Sequence, residues 1–328
     1  MTDLDRRAFM AGGGALVLAQ ASAQEHRRPS ELPHLAPARA LPPSWTTAAT
    51  IPLWPGEPPG RAGFAPKPIP ADSPVVFLRN IARPDLHVFA PTRPNGQALL
   101  VIPGGAYTFV SVANEGVDPA ARMTARGFTV FVLTYRLPGE GWENRADVPL
   151  QDAQRAVRVI RSQASRFKLD AERVSVLGFS AGGHLAATLA TRHMEQTYTG
   201  VDGADRLSAR PCAAGLAYPV VTMKSPWTHE MSRKALLGET PTDAQIERRS
   251  AESHVDGATP PTFIAHAMDD KAVPVENSLR LMNALREAQR PVEAHLFQEG
   301  GHAFGVGYPN TSSGLWTDLF GAWLERAG

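Results

Sequence analysis

Ser180 stands in Gly178-Phe179-Ser180-Ala181-Gly182, after the apolar run Val174-Ser175-Val176-Leu177 and before the helix-like Gly183-His184-Leu185-Ala186-Ala187. Glycines two places before and two places after a serine leave room for a sharp strand-to-helix turn that lifts Oγ clear of the sheet. A helix starting at Ala181 adds free N–H groups and the positive end of its dipole. A serine hydroxyl is a weak nucleophile by itself and needs a general base. With a base, a carboxylate to orient it and donors for an oxyanion, such a serine supports acyl transfer through a covalent intermediate.

The ten histidines are the candidate bases. His302, in the stretch QEGGHAFG, follows the apolar segment 292–297 and precedes the last helical pattern. Loops leaving the C-terminal edge of a parallel sheet are where open α/β folds hold site residues, so His302 is the favoured base. His184 is expected to point away from Oγ, being four residues further along the same helix. His266 and His295 fall inside strand segments and read as structural, while His229 and His254 are candidates for substrate contact. The stretch HAMDDKAVPVENS offers Asp269 and Asp270 as the orienting acid. Asp270 is favoured because it lies further from the strand end, with Asp269 as the alternative. For the oxyanion, LLVIPGGAY at 99–107 ends an apolar strand in small residues. Backbone N–H of Gly105 or Ala106, together with that of Ala181, is the expected donor set. Tyr107, beside that turn, and Trp142, in the loop after the strand at 128–133, are the guesses for substrate walls.

These residues need a frame. Strand segments are predicted at 85–90, 97–102, 128–133, 173–178, 213–218, 262–267 and 292–297, several of them unbroken apolar runs suited to burial on both faces of a parallel sheet. Helical periodicity lies between them at 152–167, 181–194, 276–289 and 315–326, with Arg155, Arg158 and Arg161 placed to face water. The alternation predicts an α/β fold with a mostly parallel, doubly wound sheet. Residues 222–259 carry no clear strand and read as a small inserted cap. Residues 24–74 hold 13 of the chain's 29 prolines and read as a linker and an irregular arm, pinned by Trp45 and Trp54, leaving 75–328 as the catalytic domain. Residues 1–23 carry paired arginines, Phe9, a short apolar run and Ala21-Ser22-Ala23, which resembles a twin-arginine export signal. The expectation is a periplasmic or secreted protein without a membrane anchor. Lys plus Arg (33) nearly balances Asp plus Glu (32), which gives no reason to expect a nucleic-acid partner. The single cysteine, Cys212, excludes an internal disulfide and reads as a small core residue.

Taken together, IPLWPGEPPG, PGGAY, NEG, YRLPGEGW, DVPLQDAQRAVRVIR, VLGFSAGGHLAA, HAMDDKAVPVENS and GGHAFG resemble the α/β-hydrolase fold over about residues 51–326. More narrowly they resemble the acetylxylan-esterase and feruloyl-esterase-like carbohydrate esterases. Ser180, Asp270, His302 is also the chain order of nucleophile, acid and base in that fold. The resemblance implies a serine esterase that releases short acyl groups, acetate foremost, from small-molecule or oligosaccharide esters, with no metal or cofactor. A general carboxylesterase or feruloyl esterase is the alternative. Where such relatives commonly carry a third glycine, this chain has Ala106, whose methyl would narrow the acyl pocket or shift the donor. The sequence leaves the oligomeric state open.

Overall fold

The computed structural model describes residues 40–327; the expected export signal and the start of the proline-rich segment lie outside the described residues. One eight-stranded sheet is built from β1 (Ala49–Pro52), β2 (Asp85–Phe89), β3 (Ala98–Ile102), β4 (Thr129–Leu133), β5 (Val174–Phe179), β6 (Ala214–Ala217), β7 (Thr262–Ala267) and β8 (Val292–Phe297). Their spatial order is β1-β2-β4-β3-β5-β6-β7-β8. β1 and β2 pair antiparallel, as do β2 and β4, and every pair from β4 to β8 is parallel. Strands β3 to β7 are buried along their whole length, which is why they read as continuous apolar runs. Each Val, Leu, Ile or Phe fully buried there adds about 1.5–3 kcal/mol. At the margin, β2 alternates buried and half-buried residues, and β8 is half-exposed.

The helices are α1 (Asp118–Ala125), α2 (Val148–Ser162), α3 (Ser180–Arg192), α4 (Glu230–Leu237), α5 (Asp243–Arg248), α6 (Glu276–Glu287) and α7 (Trp316–Ala327). Between β6 and β7 the chain forms α4, α5 and a 3-10 turn (Ala251–His254) with no strand, in the place expected for a cap.

Two expectations need correction. The proline-rich segment is not irregular throughout, since Pro43–Thr46 forms a helical turn and Ala49–Pro52 is the first strand of the sheet. The catalytic fold therefore begins well before residue 75. Proline is compatible with both places: Pro43 sits at a helix start, where its missing N–H is not needed, and Pro52 ends an edge strand. Trp45 stacks on His87 of β2 with ring centroids 3.6 Å apart, and Trp54 Nε1 donates to Asp152 Oδ1 at 2.8 Å. The second correction concerns α2. It starts at Val148, helped by Pro149 in its first turn, and ends at Ser162, with 164–167 a separate turn. Arg155 and Arg161 are buried beneath the 195–212 segment instead of facing water. Arg155 is held by Leu53 O, Asp202 and Asp205, and Arg161 by Glu172 and Arg210 O. For Arg155 the guanidinium fork offsets the cost of burial, with Nε, Nη1 and Nη2 each on an oxygen. Cys212 is half-buried, with its sulfur 3.1 Å from Ser175 Oγ, at the rim of the core.

Candidate active site

The turn from β5 to α3 is set by space. A Cβ on Gly178 would lie 2.3 Å from Gly182 O, and one on Gly182 would lie 2.3 Å from Ile102 O and 2.4 Å from Pro103 O. Only glycines let the elbow pack this closely against the end of β3. Ser180 itself has φ 51°, a left-handed conformation that costs an L-residue roughly 1–2 kcal/mol. Strain of this kind persists where the surroundings fix the backbone.

Ser180 Oγ lies 2.9 Å from His302 Nε2, and His302 Nδ1 lies 2.7 Å from Asp270 Oδ2. Because Nδ1 faces a carboxylate it carries the ring hydrogen, which leaves the Nε2 lone pair directed at the serine. The Asp270 side chain is fully buried, while the imidazole of His302 keeps 22% of its surface exposed. Asp270 Oδ1 accepts the amides of Ala272 and Val273, both at 2.9 Å. Burial opposes its ionisation, but hydrogen bonds from His266 and His302 outweigh burial and hold the carboxyl well below the usual carboxylate range. Of the two aspartates, Asp270 is thus the one that meets the imidazole. Asp269 instead accepts the Gly301 amide at 2.8 Å and fixes the loop that carries His302.

The loop after β3 is wound through three consecutive left-handed residues, Gly105 (φ 127°), Ala106 (φ 52°) and Tyr107 (φ 60°). It is tied down by Tyr135 Oη on Pro103 O, by Phe109 N on Gly105 O and by Ser111 N on Gly104 O. Gly104 sits against Ser180, and a Cβ there would come 2.9 Å from Ser180 Cβ. Its amide is committed to Glu115 Oε2 at 2.8 Å. Among the described residues, the amides of Gly105, Ala106 and Ala181 donate to no protein acceptor. They remain available to an oxygen bound beside Ser180.

Tyr107 and Trp142, the two candidates for substrate walls, are both largely buried. Tyr107 is 1% exposed; its hydroxyl lies 2.7 Å from His184 Nδ1, and its ring packs edge-on against Tyr135. Tyr107 nonetheless lines the cavity next to this loop. Trp142 is 4% exposed and packs between Phe64 and the Arg136 guanidinium. Trp142 is covered by Phe64 of the arm, and Tyr107 by Tyr135 and His184. His184 points away from Ser180, as its place on the helix requires, with Nε2 on Arg249 O at 2.7 Å. Facing a carbonyl, Nε2 carries the hydrogen and Nδ1 accepts from Tyr107. Burial lowers the His184 pKa to about 4, so the ring is neutral.

Three further groups complete the site and had no clear sequence signal. Glu115 is 3% exposed; besides Gly104, it accepts the Tyr218 hydroxyl at 2.9 Å. Burial raises its pKa, partly countered by Tyr218, His302 and the Gly104 amide. Tyr218, just after β6, also accepts the Gly305 amide at 3.1 Å and meets the His302 ring edge-on at 5.1 Å. His266, which reads as structural, reaches the acid: its Nε2 lies 3.1 Å from Asp270 Oδ2, and Nδ1 lies 2.7 Å from Ser278 Oγ. In the cap, His229 is lowered in pKa by burial and then by its neighbour His302. His254 is occupied elsewhere, by Arg192 and Glu247 O.

The chain matches the BD-FAE family over residues 85–285. It is 38% identical over 216 residues to endo-1,4-beta-xylanase B of Butyrivibrio fibrisolvens, covering 66% of this chain and 34% of that protein. It is 30% identical over 226 residues to an acetylxylan esterase of Xylanibacter ruminicola, covering 67% of this chain and 43% of that protein. The chain thus spans less than half the length of these two curated relatives. Among solved structures, an acetyl ester-xyloside bifunctional hydrolase from Caldicellulosiruptor lactoaceticus superposes with a TM-score of 0.72 at 34% identity, over 85% of this chain and 96% of that one. A carboxylesterase from Lactobacillus plantarum gives a TM-score of 0.63 at 26% identity, over 74% and 93%. By sequence and by strand order, the chain belongs to the BD-FAE family, on an α/β-hydrolase frame.

Proposed function

We propose that the protein is a serine esterase that removes short acyl groups, acetyl foremost, from carbohydrate esters. The observation that carries this reading is the unbroken hydrogen-bonded series Ser180 Oγ, His302, Asp270 beside uncommitted backbone amides. Relatives named for acetyl ester and acetylxylan hydrolysis support the substrate class.

In the first half-reaction, Ser180 Oγ attacks the ester carbonyl as its proton passes to His302 Nε2. Negative charge gathers on the former carbonyl oxygen, where the N–H groups of Ala181 and of Gly105 or Ala106 donate to it. Removing one such donor typically costs about a hundred- to a thousandfold in rate. As the tetrahedral centre collapses, His302 passes its proton to the departing sugar oxygen, leaving an acyl-enzyme. Water then attacks that ester, losing its proton to His302, and Ser180 leaves with the proton returned. Asp270 holds the imidazole in the required tautomer and stabilises its charged form in both halves. The paired arginines near the N-terminus favour export, and cell fractionation checks that placement.

The test is a panel of acetyl, butyryl and feruloyl esters, together with acetate release from acetylated xylan. Acetyl esters and acetylated xylan should give the highest kcat/KM. A preference for feruloyl esters would move the reading to a feruloyl esterase, and no release from any ester would remove it.

A further inference from the structure

A cavity of about 630 Å³ opens beside the oxyanion loop, between the arm, the loop after β4 and helix α4 of the cap. That volume lies within the range of small-molecule sites. Thr108, two residues beyond Ala106, is part of its wall. The cavity therefore begins within about 7 Å of the proposed oxyanion donor, counted along the backbone.

Its charge is unbalanced. Lys67, Arg79, Arg145 and Lys234 face it against two carboxylates, Glu140 and Glu239. Lys234 and Glu239 pair with each other at 2.8 Å. Glu140 accepts the Asn80 amide at 2.6 Å, and burial raises its pKa. Among the described residues, neither Lys67, Arg79 nor Arg145 has a carboxylate oxygen within ion-pair distance. The two arginines are fixed through other donors, Arg79 Nη1 on Thr108 O at 2.5 Å and Arg145 Nη2 on Ala235 O at 2.6 Å. Each keeps a buried Nε–H with no protein acceptor. An anion in the cavity would be offset by Lys67, Arg79 and Arg145, none of which a carboxylate of the protein already neutralises. The chain as a whole carries a net charge of only +1, so this local excess of cations is not a general property of its surface.

We propose that the cavity is a subsite for a carboxylate-bearing sugar unit, a hexuronate, of the acylated saccharide. The proposal rests on the carbohydrate-esterase reading above and narrows its substrate to acidic saccharides. A single negative charge matches the site better than a dianion, because Glu140 and Glu239 share the wall and would repel a second charge. The same two carboxylates are suited to accept sugar hydroxyls. Guanidinium groups bind planar carboxylates through paired donors.

Two measurements test it. In the first, Ser180→Ala protein is titrated calorimetrically with glucuronate, glucose and inorganic phosphate at low and high salt. Glucuronate should bind, more weakly at high salt, and glucose should not. Phosphate binding without glucuronate binding would overturn the assignment, as would equal binding of glucose. In the second, kcat/KM is compared for acetylated xylo-oligosaccharides with and without a glucuronosyl side group. The acidic substrate should be favoured about tenfold, and Lys67→Met and Arg145→Met should each bring that ratio towards one. Lys67 lies on the exposed arm, so its variant does not depend on the packing of α4. A ratio near one in the parent protein, or unchanged in both variants, would overturn the subsite. Hydrolysis of 1-naphthyl acetate, too small to span both places, reports the esterase reading separately. If that fails, the glucuronate titration still decides the subsite.

Discussion

At the scale of single residues, the site places Ser180, the proposed nucleophile, in a conformation that side chains avoid. Ser180→Ala should lower kcat/KM by at least about ten-thousandfold while leaving the melting temperature close to the parent's. Ser180→Gly should be equally inactive but more stable than Ser180→Ala by about 0.5–1 kcal/mol, since glycine tolerates φ 51°. Denaturant titration of the two inactive variants checks this, and equal midpoints would refute the strain. Asp270 supplies a second expectation. Its folded pKa lies below the ordinary value, so its ionised form adds stability above about pH 3.9 that is lost as pH falls further. It is therefore already ionised wherever the imidazole can act as a base. Asp270→Asn removes the acceptor that fixes the tautomer and should cost roughly ten-thousandfold in kcat. His302 and Ser180 were legible because glycine-rich turns mark them in the sequence. Asp270 was favoured over Asp269 because it lies further from the strand end, and it is Asp270 that meets His302 while Asp269 holds the Gly301 amide.

Elements explain what single residues leave out. The oxyanion loop is held at its base by Glu115, which accepts Gly104 N–H with one oxygen and Tyr218 O–H with the other. Glu115→Gln replaces one acceptor by a donor, leaving a buried N–H or O–H facing an N–H. The cost should be about 1–3 kcal/mol in stability together with a fall in kcat, read by denaturation and steady-state kinetics. An unchanged kcat would show that the loop keeps its shape without this carboxylate. Beyond the end of α3, Glu195 pairs with Arg192, Arg248 and Arg249 and so ties that helix to the cap. Burial opposes its ionisation, but Arg249 and its two neighbours outweigh this and hold the carboxyl at about 2. A depressed pKa contributes stability above the unfolded value near pH 4.3 and loses it as pH falls towards 2. Glu195→Gln should therefore flatten the stability profile in that window and shift it by a constant amount above it. The cap's lack of strands was legible from its composition. Its anchoring was not, because the partners lie about 50 and 100 residues apart along the chain.

For the whole molecule, the link between arm and sheet is a buried ion pair. Arg136 and Asp152 have fully buried side chains and meet at 2.8 Å. Asp152 also accepts the Trp54 indole and the Arg136 amide, while Arg136 reaches Gln151 and Pro59 O. The motifs IPLWPG, YRLPG and PLQDAQ, far apart in sequence, are thus one structural unit. Asp152→Ala would strand a buried guanidinium and should destabilise the fold by about 3–5 kcal/mol, measured by chemical denaturation. This also explains where reading the sequence fell short. The seven strands of the eight-stranded sheet that follow residue 75 carry their own hydrophobic pattern and were legible almost to the residue, whereas the two-residue pair Phe77–Leu78 and Val110–Ser111 was too short to show one. β1 was not legible, because proline density hides a short edge strand whose stability comes from Trp45, Trp54 and their distant partners. The buried arginines of α2 were misread for the same reason, since helical periodicity does not reveal a covering loop. The central claim is that Ser180 carries the acyl group between the two half-reactions. Rapid-quench mass spectrometry of the protein turning over 4-nitrophenyl acetate tests it most directly. The account predicts one acetyl group on the peptide containing Ser180, absent from Ser180→Ala; turnover with no such adduct, and with Ser180→Ala still active, would contradict it.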